Sequence, residues 1–396
     1  MCRACRSISI LDVRVTNQTP SSLWCRRTTQ TGPNTRTSKL GVSSRVPVVR
    51  ALRLTWALST ETLLRRAAIE LWTWSECLWL QGSLCATSLG SADWWPRGLT
   101  QLVLEARLNI SIENVSWPER LQCLALGSYF NQSIAGAVWP ASLRQLSFGD
   151  EFNQPIAEVM WPAFLRKVSF GMRFNQPIAG VMWPASLQQV SFGARFNQSI
   201  AGVVWPASLR QLSFGDEFNQ PIAEVMWPAF LRKVSFGMRF NQPIAGVMWP
   251  ASLQQVSFGA RFNQSIAGVV WPASLQQVSF SAAFNQPIAE VVWPASLRKL
   301  SFGYMFNQPI AQVVWPVSLQ QVSFGKRFNH PIAGAVWPAS LRKLSFGDLF
   351  NRPIAEVMWP ESLQQVSFGA TFNQPIAGVV WPRSLRRVTC CGKHIL

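Results

Sequence analysis

Hydrophobic residues recur along the chain with a period of 22 residues from Trp95 onward. Each unit opens on the dipeptide Trp-Pro, and unit position 1 denotes that Trp throughout. In the unit that begins at Trp139, the recurring apolar residues are Leu143, Leu146, Phe148, Phe152, Ile156 and Val159. A fixed period of about 20 to 50 residues is typical of stacked repeats, in which one unit cannot bury its apolar face alone. The pattern therefore predicts a solenoid.

Within one unit, the order of apolar and polar residues predicts a short strand. Leu146, Ser147 and Phe148 alternate apolar, polar and apolar, so the two apolar side chains face inward. Pro140 and Pro155 would break a helix interior and remove strand donors. The rest of each unit is therefore expected to be extended or turn-like, with 3₁₀ pieces and little α-helix.

An asparagine occupies unit position 15 in every full unit, and Asn153 is one example. At a turn, its side chain can bond backbone groups of a neighbouring unit and form a ladder along the stack. Three of these asparagines, Asn131, Asn197 and Asn263, also begin glycosylation sequons. Because the ladder is expected to bury them, we interpret the sequons as coincidental.

The segments Pro-x-Ser-Leu-x-x-Leu-x-Phe-Gly and Phe-Asn-x-Pro-Ile recur together, and this combination resembles the FNIP repeat, a 22-residue member of the leucine-rich repeat group. The resemblance covers residues 95–389. It implies a mainly β, leucine-rich-repeat-like solenoid of about 13 to 14 coils, with short parallel strands on the concave face and an extended, turn and 3₁₀ convex side. It also implies a recognition scaffold with ligands on the strand face.

Residues 139–204 are identical to residues 205–270, so three coils have been copied whole. In a solenoid, each coil contacts only its neighbours, and the number of coils can change without loss of the fold. We therefore expect the number of repeats not to be critical.

Four segments follow from the position of the repeats. We interpret residues 1–70 as a basic segment that is disordered or carries a targeting signal, and residues 71–94 as a degenerate N-terminal coil or cap. The solenoid spans residues 95–389. Residues 390–396 form a C-terminal tail with no obvious cap. No stretch reaches about 18 residues without charge or Pro, so no transmembrane helix is expected.

Charge and cysteine content indicate the kind of partner and the compartment. The formal net charge is +18, which favours an acidic partner or an anionic surface. The 8 cysteines show no paired clusters, which indicates a reducing, intracellular and cytoplasmic location, with organellar targeting as the alternative. The lone Cys2-x-x-Cys5 motif is interpreted as incidental thiols and not as a zinc site.

Several observations argue against an enzyme. The chain has only 2 histidines and none of the common catalytic or nucleotide-binding motifs, so we expect no catalysis and no cofactor. The paired carboxylates Asp150-Glu151 and their copies Asp216-Glu217 occupy a turn that tolerates many residues, which indicates solvated rim residues. The Trp column is interpreted as packing and not as a platform for nucleobases.

Surface residues of the predicted strand face are then the candidates for function. Four basic pairs recur there, two or three coils apart, and two further basic residues follow at an adjoining turn. These candidates are Arg166, Lys167, Arg232, Lys233, Arg298, Lys299, Arg342 and Lys343, with Lys326 and Arg327 at the turn. A Glu eight residues upstream of three pairs (Glu158, Glu224, Glu290) is expected to neutralise them locally.

Two functions fit this surface. The first is a non-catalytic scaffold that binds an unknown protein partner through the strand face and adjoining turns. The alternative is electrostatic binding of nucleic acid or another polyanion. Two or three coils correspond to roughly 10 to 14 Å at about 4.8 Å per coil, which is sparse beside one duplex charge every ~1.7 Å. The sequence therefore favours the protein partner.

Overall fold

The computed structural model describes residues 51–56, 77–82, 95, 98–104, 109–390 and 393–394. The Cys2-x-x-Cys5 motif and most of residues 1–70 lie outside the described residues. Seventeen short strands, in chain order β1 to β17, form one sheet within the described part. Every strand from β1 to β15 pairs in parallel with the next one along the chain. This sheet confirms the predicted parallel-strand solenoid.

The strands are three to six residues long, apart from a final two-residue strand. They are β1 (Ala51–Trp56), β2 (Cys77–Gly82), β3 (Gln101–Leu104), β4 (Cys123–Ala125), β5 (Gln145–Ser147), β6 (Lys167–Ser169), β7 (Gln189–Ser191), β8 (Gln211–Ser213), β9 (Lys233–Ser235), β10 (Gln255–Ser257), β11 (Gln277–Ser279), β12 (Lys299–Ser301), β13 (Gln321–Ser323), β14 (Lys343–Ser345), β15 (Gln365–Phe368), β16 (Arg387–Cys390) and β17 (Lys393–His394).

The return path of each coil contains turns and extended segments, and no helix occurs in the part of the chain that the structure describes. Accordingly, no described segment is a helix that could cross a membrane. Two prolines per coil explain why the coils contain no helix, because Pro at positions 2 and 17 of most units removes the donors that a helix needs.

Two columns of Phe rings fill the interior. Within one coil, the ring centroids of Phe148 and Phe152 lie 4.2 Å apart, and Phe152 lies 6.0 Å from Phe174 of the next coil. Adjacent strands of a sheet lie only about 4.8 Å apart. The Phe rings of adjacent coils therefore lie farther apart than neighbouring strands of a sheet do.

The Trp column packs along one side of this core. Trp161 and Trp183 stack with centroids 5.7 Å apart, and Trp183 keeps only 8% of its surface accessible. Its buried indole N–H finds no acceptor among the described residues, so packing and not hydrogen bonding holds the ring. The interpretation of the Trp column as packing is confirmed.

The predicted asparagine ladder is present. The Asn153 backbone N–H donates to Oδ1 of Asn131 at 2.9 Å, and Nε2 of Gln154 donates to the backbone oxygen of Asn131 at 3.0 Å. The expectation that the ladder is buried is wrong, because Asn131 and Asn197 are half-buried and Asn263 is exposed. The asparagine side chain is held at the surface because it accepts a bond from the backbone of the next coil and not from a group in the core.

Both ends of the sheet differ from a bare repeat. Strands β1 and β2 continue the parallel sheet upstream of the first Trp-Pro unit. At the other end, β17 pairs antiparallel with β16 through Thr389 and His394. The expectation that the C-terminal tail offers no cap is therefore wrong, since β17 occupies hydrogen-bonding groups that the last parallel strand would otherwise expose.

Glycine at unit position 11 is required by close approach between coils. A Cβ added to Gly325 would overlap the carbonyl oxygen of Gly303 in the preceding coil. One coil has Ser281 at this position, and within the described residues its Phe284 lacks the bond that Phe152 N–H makes to the oxygen of Gly149 at 3.3 Å. The coil with Ser281 therefore accommodates a side chain at this position without that bond.

We predict that Gly325→Ala lowers the free energy of unfolding by about 1–3 kcal/mol, because the methyl group must displace the backbone of the neighbouring coil. Gly334→Ala is the matched control, since its added Cβ would meet only the Cβ of Ala311 at 3.5 Å. That control should stay within about 0.5 kcal/mol of the parent. Urea unfolding followed by circular dichroism measures both, and equal effects would contradict the close-approach explanation.

Deletion of residues 139–204 should leave a folded stack that unfolds cooperatively. The deletion joins Val138 to Trp205, and every remaining junction keeps its original neighbour sequence because the deleted block is identical to 205–270. Circular dichroism and urea unfolding of the shortened chain test this expectation. Aggregation or loss of the cooperative transition would show that the coils depend on more than their neighbours.

Candidate interaction surface

The strand face is a strip of polar residues on buried supports. In β6, the central Val168 is fully buried, while Lys167 and Ser169 on either side are half-buried and point outward. Position 7 is Gln or Lys and position 9 is Ser in every unit from Trp139 to Ser367. No Asp or Glu occupies positions 6 to 9 from Trp139 onward. The result is an acid-free polar strip, which we call the strand strip.

Each of the four lysines in the strip lies between two glutamines. Lys167, for example, is in register with Gln145 on one side and Gln189 on the other. Lys167 and Lys233 are half-buried, whereas Lys299 and Lys343 are exposed. The parallel register thus brings the four predicted lysines into one column, with two or three coils, or about 10 to 14 Å, between neighbours.

An arginine immediately precedes each of these lysines, and Arg166, Arg232, Arg298 and Arg342 are all exposed. The backbone fixes their position, because the carbonyl oxygen of Arg166 accepts bonds from the N–H groups of Gln188 and Gln189 at 2.8 and 2.9 Å. Among the described residues, no ion pair joins these arginines or lysines to Glu158, Glu224 or Glu290. The expected local neutralisation is therefore not provided by an ion pair.

Lys326 and Arg327 lie in a different row, at the turn that follows the strand. Nζ of Lys326 lies 3.6 Å from a carboxylate oxygen of Asp348 and 5.5 Å from the ring centre of Tyr304, and the Arg327 guanidinium lies 5.8 Å from the same ring. At the corresponding turn of another coil, Glu151 pairs with an arginine, Arg173, at 2.5 Å. The turn row therefore mixes both charges and differs from the strand strip.

Sequence reasoning missed one further basic pair on the strip. Arg386 and Arg387 are exposed, and Arg387 lies in register with Gln365, so it extends the lysine column by two coils beyond Lys343. The signal was available, because both arginines occupy unit positions 6 and 7 of the truncated last unit.

Cys123 occupies the strip position of the lysines, two coils before Lys167. Burial raises the pKa of the Cys123 thiol, and the nearby positive charge of Lys167 opposes that rise. A lysine charge therefore acts along the strip across two coils.

The repeat architecture and its motif decide the family. The FNIP Repeat family profile matches seven segments, several of which overlap, and together they span residues 130–349 and so more than half of the 396 residues. The chain belongs to the FNIP repeat family. The matched segments are 130–173, 174–217, 196–239, 240–282, 262–305, 284–327 and 306–349.

One solved structure supports a leucine-rich-repeat-like fold for this FNIP repeat protein. It is similar to CroV588, described as a novel circular LRR protein, with 36% identity, a TM-score of 0.61 and coverage of 80% of this chain. The chain spans about half of that protein, 53% of its length. An internalin (inlF) from Listeria monocytogenes shares 13% identity over 74% of this chain and 80% of its own, with a TM-score of 0.41. No curated protein matches the sequence.

We predict that alkylation of Cys123 requires a higher pH than that of an ordinary thiol, because only the thiolate reacts and burial raises its pKa. Lys167→Gln removes the opposing charge and should move the midpoint of the pH–rate profile higher still. Iodoacetamide labelling, quantified for the Cys123 peptide by mass spectrometry, measures both profiles. An unchanged or lower midpoint in the variant would refute the coupling along the strip.

Proposed function

We propose that this FNIP repeat protein is a non-catalytic scaffold that binds another protein through the strand strip and the adjoining turn row. The observation that carries the proposal is the acid-free column of Lys and Gln, whose spacing the parallel register sets. An intracellular, cytoplasmic location is part of the same proposal. The family membership supports a repeat scaffold, and the choice of partner rests on the strip.

The strip suits a protein partner because its supports are rigid. A fully buried Leu or Val anchors each central strand position, and backbone bonds between coils hold positions 6 and 7 in place. Groups that are ordered before binding lose little entropy when a partner binds. Glutamine, serine and lysine supply donors and acceptors on a nearly flat surface. An acidic protein surface with carboxylates about 10 to 14 Å apart would match the lysine column.

Nucleic acid remains the second candidate because one observation favours it. The arginine and lysine columns run side by side, and no carboxylate on the strip opposes them. However, the lysines are separated by two or three coils, whereas a duplex carries one charge every ~1.7 Å. Binding to a polyanion would therefore engage few phosphates per turn of the duplex.

The two candidates are separated by a variant in which Lys167, Lys233, Lys299 and Lys343 are replaced by Gln. Glutamine occupies the same position in neighbouring coils, so we expect the fold and the melting temperature to be unchanged. Retention of duplex RNA or DNA should fall steeply with salt and be lost in the variant, because phosphate binding releases counterions. A protein partner should bind the variant less than about tenfold more weakly, which is about 1.4 kcal/mol.

The measurement is affinity capture with the full chain and the four-Gln variant, with and without nuclease, followed by fluorescence anisotropy with an RNA or DNA duplex. Proteins that are retained after nuclease treatment and reduced with the variant support the scaffold. Tight duplex binding by the parent chain near 0.15 M salt, abolished in the variant, would replace the scaffold proposal by the nucleic-acid one.

A further inference from the structure

A row of exposed apolar side chains at unit position 22 lies outside the strand strip and the turn row. Twelve successive coils each expose a Val or Met at unit position 22, with 67% to 82% of the residue accessible. We call this row the lateral ridge. Its members are Val138, Met160, Met182, Val204, Met226, Met248, Val270, Val292, Val314, Val336, Met358 and Val380. Soluble proteins rarely leave so long an apolar row uncovered.

The ridge residues are exposed, although their neighbours in sequence are buried in the core. Met182 is 77% exposed, whereas the residues on either side, Val181 and Trp183, are 4% and 8% exposed. The groove between Met182 and Val204 has a volume of about 480 Å³ and is lined by Trp183 and Trp205. At this place the ridge thus combines projecting side chains with an apolar groove.

The two borders of the ridge carry opposite charges. Between exposed Glu158 and exposed Arg166, the only exposed residues are Met160, Ala163 and Phe164, all apolar. The copied coil repeats this arrangement between Glu224 and Arg232, and a third coil repeats the two charges at Glu290 and Arg298. Each coil of this kind therefore presents an acidic border, an apolar centre and a basic border.

Three charge pairs share one period. Glu158, Glu224 and Glu290 follow one another by 66 residues, and so do Arg166, Arg232 and Arg298, which is three coils or about 14 Å along the stack. Glu356 continues the acidic spacing, whereas Arg342 and Arg386, also at unit position 6, do not follow it. Among the described residues, none of these six charges forms an ion pair within the chain. They are available to charges of a partner that repeats with the same spacing.

We propose that the lateral ridge binds a second copy of this chain, side by side and in parallel, about a two-fold axis that runs along the ridge. A second copy carries ridge residues with the same spacing, so each coil added to the contact stays in register. Rotation about this axis brings the acidic border of one copy against the basic border of the other. An antiparallel pair would bring acidic border against acidic border.

Sedimentation velocity of the full chain over a concentration series tests the proposal. Dimerisation is expected, and M182E/M248E should raise the dissociation constant at least tenfold by placing carboxylates on the ridge. The matched control is M172E/M238E, because these methionines are also exposed, at 50% and 48%, but lie in the turn row. A monomeric parent chain, or equal effects of the two variants, would overturn the proposal. Thermal unfolding of each variant verifies that the fold is retained.

Orientation is tested with two single variants, Val204→Cys and Val314→Cys, which lie five coils apart on the ridge. In a parallel pair, each position faces its own copy, so both variants should form a disulfide-linked dimer under mild oxidation, identified by mass spectrometry of the linked peptides. In an antiparallel pair, at most one of them can face itself. A self-link at only one position, or at neither, would overturn the parallel arrangement.

The charge borders are tested by reversal. E158R/E224R/E290R places arginine on both borders and should weaken dimerisation at least threefold, more so at low salt. Adding R166E/R232E/R298E to the same chain exchanges the two borders and should restore the parent affinity. If the variant with six substitutions dimerises more weakly than the variant with three, border pairing is contradicted. Because these measurements use the purified chain alone, their failure leaves the scaffold proposal untouched.

Discussion

In-register parallel pairing of coils of identical length is the constraint on which the rest of the molecule depends. Every coil has 22 residues from Trp95 to Trp381, so each backbone group meets the same group one coil away. The strand bonds, the ladder from Asn153 to Asn131 and the contact between successive glycines at position 11 all require that equality. An insertion of one residue in any coil would shift all three at once and reverse the inward and outward faces of the strand.

Exact register also means that a residue that recurs in every coil stacks on the same residue type in the next coil. For Phe, Trp and Asn this is favourable, because rings pack face to face and amides bond in series. For charged residues it is unfavourable, because like charges in adjacent strands repel. The strand strip follows this rule, since Lys167, Lys233, Lys299, Lys343 and Arg387 never occupy adjacent coils at position 7 and always have Gln between them. The rule holds for position 7, whereas at position 6 arginines do occupy adjacent coils, as at Arg144 and Arg166.

Sequence reasoning predicted the features that depend on the period. The repeat, the Phe core and the Asn ladder all follow from residues that recur at one spacing, whereas the strand predicted over Leu146–Phe148 lies one residue earlier, at Gln145–Ser147. The exposure of Met160 did not follow, because Val159 and Met160 are adjacent apolar residues and the pattern alone does not say which one faces inward. The pairing of β17 was also missed, since two residues outside the repeat carry no periodic signal. Contacts that depend on how closely two backbones approach, such as the one at Gly325, could not be predicted from the sequence.

The copied block has a consequence for how such a molecule changes its reach. A duplication of 66 residues adds three complete coils, and it carries with it one lysine of the strand strip and one acidic and one basic border residue of the lateral ridge. Each duplication therefore adds a fixed length and a fixed set of surface charges together. In a chain that grows or shrinks in such steps, the number of copies sets the length of the stack, while the spacing between the copied charged residues stays constant.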